Sequence, residues 1–596
     1  MSADNGVEHK GSFTGAEHVD EMDIGRMLEH LKEIGAHDQP SAAQTWKNLD
    51  PDGQKARQIR TRRVRQILQV LTIRETLTKT QRDDIYAWVS KFHYIFWLPG
   101  DRLTTTTAWR HRIDTGDAKP RRVKLRRMNV QRQRVVEESI RELLRLGVIE
   151  PVNQSAWSAQ MLVVCTPGKA PRAVLDAREL NSVTVPDHFP TVHMDDVIEW
   201  CGNRSFKSAL DLKRMYWQMA LDANDRHKTC FATHMGSFVW TRCPMGTRNA
   251  SASAARATAR AFSGLLGSSV MAFVDDLAIA SETWEDLVND LHLVAQRCAD
   301  WSLLLNTKTC TIAPDQLDLL GVTITADNHL KPLKKNTEAV AEFPTPTNPR
   351  QAAQFLGMCS FYQRHVKDFA TLVLPLRKVA IIGGSFHWHR PQEDAFQYLK
   401  KVLTSYPVLM LPDFRRPFEL WTDASRLGLG AQLVQRYENQ PHMVAYASRK
   451  LKGAEDRYSS YQQEFLAVVW AVQKFRTYLL GSRFDLYTDC SALKLMIKQK
   501  KPARLRSWAI ILSEYAFDIW HVKCNKKQAA DALSRNPEDE NPPENTEVGS
   551  LHALTRAQSR QMLADIPEEK TVMVTENKLE ATEQKMRPEA PLQPSA

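Results

Sequence analysis

Val270-Met271-Ala272-Phe273-Val274-Asp275-Asp276-Leu277-Ala278-Ile279-Ala280 sets two adjacent carboxylates between two apolar runs. The pattern predicts a β-hairpin with the acids at its tip. Two anions side by side inside apolar flanks repel each other and resist burial. A hard cation neutralises them, and Mg²⁺ takes oxygen ligands. A solvated Asp-Asp turn fits the same stretch, so the rest of the chain has to decide.

Outward from the hairpin, Ser208-Ala-Leu-Asp211-Leu reads as a short apolar strand ending in an acid, with Tyr216 five positions on. Asp211 can complete a two-metal site with Asp275 and Asp276 only if its strand pairs with the hairpin, because such ions stand about 3.5–4 Å apart. Between them, Lys228–Trp240 predicts two strands around Met235-Gly236, and Asn249-Ala250 opens a small-residue helix running through Arg260. Upstream, Val130–Leu146 has helical spacing with Gly147 as its stop. Ala159–Cys165 and Arg172–Leu175 predict a hairpin turning at Pro167-Gly168, with Lys169 and Arg172 near the tip. Such tips can close on phosphates. Downstream, Glu282–Leu305 predicts an amphipathic helix ended by Asn306-Thr307-Lys308, and Leu319-Leu-Gly321-Val-Thr-Ile another short strand. Ile113-Asp-Thr-Gly116 superficially suggests an aspartic protease, but Lys119-Pro-Arg-Arg and then helix follow at once.

A second set of acids lies further on. Phe418-Glu-Leu-Trp-Thr-Asp423 and Phe484-Asp-Leu-Tyr-Thr-Asp489 are strands ending in acids. Ser460-Tyr-Gln-Gln463 predicts a capping box that puts Glu464 in the first turn of a helix. Phe465, Val468, Val469, Val472 and Phe475 supply that helix's buried face. Asp531 sits in a predicted terminal helix beginning at Ala529, and His521 precedes it.

Composition agrees with a large intracellular protein that meets polyanions. The 596 residues suggest three or four domains. The net charge is +11, and it is concentrated in runs at 55–65, 119–127 and 498–506, which points to nucleic acid. Nine scattered cysteines without a C-x-x-C pair argue for reduced thiols and against a zinc knuckle. No stretch reaches the ~20 apolar residues of a spanning helix, and the polar N-terminus is no secretory signal. From Pro537 to Ala596 there are 12 acidic and 6 basic side chains among many prolines, which predicts disorder.

Taken together, residues from about 77 to 535 resemble the reverse transcriptase–ribonuclease H region of a gypsy-type LTR-retrotransposon polyprotein. Collinear stretches carry the resemblance: Gly147-Val-Ile-Glu-Pro, Arg172-Ala-Val-Leu-Asp176-Ala-Arg178-Glu-Leu-Asn181, Phe206-Lys-Ser-Ala-Leu-Asp211-Leu, Pro244-Met-Gly246-Thr-Arg-Asn249-Ala, Phe273-Val-Asp-Asp276, Phe343-Pro-Thr-Pro346 and Phe355-Leu-Gly357-Met-Cys-Ser-Phe-Tyr362.

The resemblance implies a multidomain chain of α/β and α+β parts, a right-hand polymerase (fingers, palm, thumb) followed by a connection and a ribonuclease H-like α/β domain. The implied division is a partly disordered extension at 1–75, a linker at 76–125, fingers and palm at 126–326, thumb and connection at 327–411, the nuclease at 412–536 and an acidic tail at 537–596. Asp211, Asp275 and Asp276 would hold Mg²⁺ in the palm. Asp423, Glu464, Asp489 and Asp531 would hold it in the nuclease, where His521 assists product release. Mn²⁺ suits the same oxygen ligands. Arg172 would reach the incoming triphosphate, with Lys169 beside it. Tyr216 would exclude a 2′-OH, Lys308 matches a later palm lysine, and Gly321 lies in the turn that grips the primer. The implied partners are an RNA template, a DNA primer, the RNA–DNA hybrid and deoxynucleoside triphosphates, with no membrane. The implied location is the cytoplasm, inside a virus-like particle.

Three departures stand out. Phe273 replaces the family's usual tyrosine, the fingers tip keeps one lysine where the family has consecutive ones, and Cys524 follows His521-Val-Lys where the family has glycine after the histidine. Neither the family's integrase module nor a convincing protease is legible. The competing expectation is a degraded relic that binds nucleic acid without chemistry, and the presence of all seven acids argues against it.

Overall fold

The computed structural model describes residues 54–165, 171–202, 204–381, 384, 386–405, 408–489 and 503–522. The chain divides into two compact units. The first takes in residues up to His193 together with Ser208–Ile312. The second takes in Met194–Lys207 and everything from Ala313.

In the first unit, helix α1 (Gln54–Val70) leads into strand β1 (Thr72–Ile73), and α2 (Lys79–Phe92) starts at a capping box between Thr78 and Gln81. Helix α3 (Val130–Arg145) ends where Gly147 turns the chain at φ +65, as the spacing predicts. Five strands then form one sheet: β2 (Ile149–Pro151), β3 (Ala159–Val164), β4 (Arg172–Leu175), β6 (Phe231–Thr233) and β7 (Gly236–Trp240), in the order β2-β7-β6-β3-β4. The predicted hairpin β3–β4 is antiparallel, with Val164 opposite Arg172. Phe231, Phe238 and Trp240 pack with Ile140 and Leu144 of α3 in the core beneath.

The second sheet of this unit carries the acids. Strand β5 (Phe206–Asp211) is joined by β8 (Met271–Phe273), β9 (Asp276–Ser281) and β10 (Thr311–Ile312), in the order β1-β10-β5-β9-β8. Along β9, Leu277, Ala278, Ile279 and Ala280 are wholly buried. A strand covered on both faces reads as a continuous apolar run, which this one does. Helix α4 (Ala250–Ala261) buries Ala250, Ala254, Ala257 and Ala261. Helix α5 (Trp284–Asp300) is capped by Thr283 and buries Leu287, Leu291, Val294 and Cys298. It stops at Asp300, short of the predicted Leu305, because Ser302 takes a left-handed φ of +55 and turns the chain.

In the second unit, β11 (Gln316–Leu319), β12 (Val322–Thr325), β13 (His329–Pro332) and β14 (Leu409–Met410) form one sheet. Leu319 pairs with Val322, leaving Leu320 and Gly321 as a two-residue turn at φ +48 and +85. Helices α6 (Lys334–Ala341) and α7 (Pro349–Phe361) follow. The other sheet has β15 (Phe418–Ala424), β16 (Gly428–Tyr437), β17 (Gln440–Lys450), β18 (Arg483–Thr488) and β19 (Ala516–His521), in the order β17-β16-β15-β18-β19. Helix α8 (Ser460–Lys474) packs Phe465, Val468, Val469 and Val472 against Leu420, Leu433 and Leu486 of that sheet. Its capping box lies one residue earlier than predicted. Ser459 is the cap and Gln462 its partner, because Ser459 is the residue with extended backbone (ψ 155) whose hydroxyl faces the third helical amide.

Candidate active sites

The first site is built on the β5 end and the β8–β9 turn. Phe273 pairs with Asp276, so Val274 and Asp275 alone make the turn. Val274 sits at φ +58, a region that a β-branched residue adopts only under constraint. The constraint is visible in the main chain, where the Leu212 N–H donates to the Asp275 carbonyl at 2.8 Å. Strand order puts β5 beside β9, which brings Asp211 near enough for its charge to act on both Asp275 and Asp276.

The electrostatics follow from this crowding. Burial raises Asp275 above the usual carboxylate range, and the Asp211 charge adds to it. Asp276 is pushed up to about 7 by burial first, then by Asp275 and Asp211. Both shifts express anions that lack compensating charge. The carboxylate of Asp211 instead accepts from Asn306 Nδ2 (2.8 Å) and Thr309 Oγ1. Three acids with only oxygen donors and a surplus of negative charge suit a hard divalent cation.

The surrounding residues fall into place unevenly. Tyr216 stands on the short helix Met215–Gln218, its hydroxyl 3.2 Å from Ser251 Oγ of α4. Gln218, which sequence reasoning passed over, is fully buried and bonds the Lys213 and Leu304 carbonyls and the Leu304 amide. It locks the segment between Asp211 and Tyr216, and a glutamine among apolar neighbours was its signal. Lys213 lies over the Trp97 ring at 4.0 Å, and burial lowers its pKa. Arg172 is exposed at the start of β4. Lys308 is exposed in a turn between Asn306 and Thr309. Lys169 lies outside the described residues. Asp114-Thr-Gly116 forms a turn in which the Gly116 N–H donates to Asp114 Oδ1.

The second site gathers Asp423, Glu464 and Asp489, whose ligand atoms all lie within 4.8 Å of one another. β15 and β18 are parallel neighbours, so their ends bring Asp423 and Asp489 to the same edge of the sheet. Glu464 is buried in the first turns of α8, and its Oε1 accepts from the Ala424 amide at 3.3 Å. Three carboxylates at this separation fit an oxygen-liganded divalent cation. His521, exposed at the end of β19, places Nε2 3.1 Å from the Asp489 carbonyl oxygen. Asp531 lies outside the described residues. Gly430 pairs with Asp423, and a Cβ at 430 would come within 2.9 Å of Asp368 Oδ1. Asp368 has φ +51, a conformation the sequence did not announce. Among the described residues, no helix is long and apolar enough to cross a membrane.

Comparison with known proteins gives a family to each of the two regions that carry these acids. Residues 167–324 match the family model of reverse transcriptase (RNA-dependent DNA polymerase). Residues 413–515 match that of the RNase H-like domain found in reverse transcriptase. The chain is 31% identical over 459 residues to the retrovirus-related Pol polyprotein from transposon 297 of Drosophila melanogaster, covering 76% of this chain and 43% of that protein. It is 31% identical over 420 residues to the Pol polyprotein from transposon gypsy of the same fly, covering 67% and 40%. The chain thus spans about two fifths of the length of these relatives. Among solved structures, the foamy viral protease-reverse transcriptase in complex with RNA/DNA hybrid matches with a TM-score of 0.64 at 18% identity, over 83% of this chain and 66% of that one. At that identity the likeness is one of fold.

Proposed function

We propose that this chain, which carries the reverse transcriptase and RNase H-like domains of gypsy-type retrotransposon Pol polyproteins, copies RNA and DNA templates into DNA and cuts the RNA strand of the resulting hybrid. The observation that carries the reading is the convergence of acids in two separate units, from strand ends and, for Glu464, from the start of a helix. Asp211 lies beside Asp275 and Asp276 in one, and Asp423, Glu464 and Asp489 gather in the other. In this reading residues 126–326 are fingers and palm, 327–411 thumb and connection, and 412–536 the nuclease.

Asp211, Asp275 and Asp276 would hold the polymerase cations, and Asp423, Glu464, Asp489 and Asp531 those of the nuclease, with Mg²⁺ the expected ion. Bound there, the ions neutralise charge on the transferring phosphoryl group and on the attacking and leaving oxygens. The protein's own residues bind and orient. Arg172 and Lys169 meet the triphosphate, and Lys308 lies in the turn that holds Asp211. The ring of Tyr216 fills the space a 2′-OH would need. His521 steadies the main chain at Asp489. The partners are an RNA template, a DNA primer and deoxynucleoside triphosphates.

The test is primer extension on an RNA template with Mg²⁺, with a labelled RNA strand reporting cleavage in the same reaction, beside Asp275→Asn. Extension abolished by Asp275→Asn with cleavage retained is the expected result. Neither activity, from folded protein that binds hybrid, would leave the nucleic-acid-binding relic as the reading.

A further inference from the structure

Helix α1 carries Lys55, Arg57, Arg60, Arg62, Arg63 and Arg65 and no acid in its 17 residues. The structure divides these charges between two tasks. Arg63 faces inward beside the buried Val64 and Ile67, and all three of its guanidinium nitrogens donate. It bonds both Asp101 oxygens (2.9 and 2.6 Å) and the His93 and Phe96 carbonyls. Its work is to fasten the helix. On the other side, Arg57, Gln58, Thr61, Arg62 and Arg65 are exposed and line an open groove of about 350 Å³. Their spacing is that of one helix face.

We infer that this outer face of α1 binds the phosphate backbone of nucleic acid, as a surface additional to the two carboxylate sites. Three observations select that partner. Arginine forks match phosphate oxygens, and Gln58 adds an amide donor among them, while the Thr61 hydroxyl is spent on the Arg57 carbonyl at 2.9 Å. No aromatic ring stands on the face, so bases have nothing to stack on and the contact is sequence-independent. Nor does the groove offer the row of apolar side chains that a membrane-surface helix inserts.

The face is also rigidly placed. β1 follows α1 directly and pairs in parallel with β10 (Thr72 with Thr311, Ile73 with Ile312), while Thr311 pairs in turn with Ala209 of β5. A strand held on α1 is therefore held on the sheet that carries Asp211. From Arg57 to Arg65 the helix rises ~12 Å. That spans roughly three phosphates of one strand at ~3.4 Å each.

The test uses the full chain with Asp275→Asn, so that binding is read without extension and independently of whether the polymerase reading holds. Affinity for an RNA–DNA hybrid and for single-stranded RNA is measured across a salt series, for the parent, for R57Q/R62Q/R65Q and for R57K/R62K/R65K. The expected result is a slope of log K against log salt that falls by about 2–3 on the hybrid and by about 2 on the single strand in the glutamine variant, and is kept in the lysine variant. Single R62Q and R65Q variants, each losing about one unit of slope, serve if the triple variant does not fold. An unchanged slope in the glutamine variants overturns the proposal, as does an equal loss in the lysine variant. So does binding to phosphatidylserine vesicles that the glutamine variant loses while hybrid binding stays intact.

Discussion

The Leu212 amide donates to the Asp275 carbonyl at 2.8 Å, so the strand end bearing Asp211 and the turn bearing Asp275 and Asp276 are tied by main chain rather than by their side chains. The acids are therefore held together despite their repulsion, and the fold carries the cost. Replacing Asp276 by Asn removes one of the repelling charges. Without divalent metal, Asp276→Asn should melt at the same temperature as the parent or a few degrees higher. With Mg²⁺ the order should reverse, because only the parent gains the stabilisation that a ligand of the folded state supplies. Primer extension should fall by at least about 10²–10³-fold. Paired melts with Mg²⁺ and with a chelator check this, and a metal-induced shift as large in the variant as in the parent would refute it.

Two acids raised to about 7, one in each unit, make metal-free stability depend on pH. Asp276 is raised to about 7. Glu199 is also raised to about 7, by burial first, with the Tyr478 hydroxyl it accepts from and Arg364 drawing it back down. An acid whose folded value exceeds its unfolded value binds more protons when folded, so stability falls as pH rises. The loss should run from about pH 4 to about pH 7 and level off above. Asp276→Asn and Glu199→Gln should each flatten part of that slope, and the double variant should flatten both parts additively. Denaturant melts at half-unit pH steps with a chelator present measure it. A parent whose stability rises across this window, or single variants with the parent's slope, would contradict the assignment.

How far these sites were legible depends on the range of the interactions that make them. Asp275-Asp276 between apolar runs and the strand ends at Asp211, Asp423 and Asp489 are local patterns, and the predicted strands appear with ends shifted by one or two residues. Glu464 was legible because the capping-box pattern put it in the first turn of a helix, though the cap proved to be Ser459. What stayed hidden is set by distant chain. Nothing near Asp211 indicates that Asn306 and Thr309 take its carboxylate. Nothing near Gly430 indicates that Asp368 fills the space beside it. Residues 194–207, which the sequence places amid polymerase strands, group with the C-terminal unit through contacts such as Arg364 with Asp195 and Tyr478 with Glu199.

Tyr216 offers a test of selectivity that leaves the carboxylates alone. Its hydroxyl meets Ser251 at 3.2 Å, so the ring is tethered at its far end. If the ring's bulk excludes a 2′-OH, Tyr216→Ala should raise ribonucleotide incorporation relative to deoxynucleotide by about 10–100-fold, while Tyr216→Phe should stay near the parent. The ratio of kcat/KM for the two nucleotide classes is the readout. Equal relaxation in both variants would mean that the hydroxyl tether, rather than the bulk, sets the choice.

Gly321 closes the β11–β12 turn at φ +85, and a Cβ there would meet the Phe361 ring at 3.0–3.1 Å. The turn is held from the other side as well. Tyr362 donates its hydroxyl to the Gly321 carbonyl at 2.7 Å and accepts from Asn336 at 2.8 Å. Gly321→Ala must therefore strain the backbone and displace a ring at once. It should cost about 1–3 kcal/mol, read as a lower urea midpoint at unchanged m-value. Tyr362→Phe should keep the ring packing and lose only the hydroxyl bonds, at about 0.5–1.5 kcal/mol. If the turn positions the primer, both variants should raise the KM for primed template more than they lower kcat. A kcat loss at constant KM would place the effect of this turn elsewhere in the reaction.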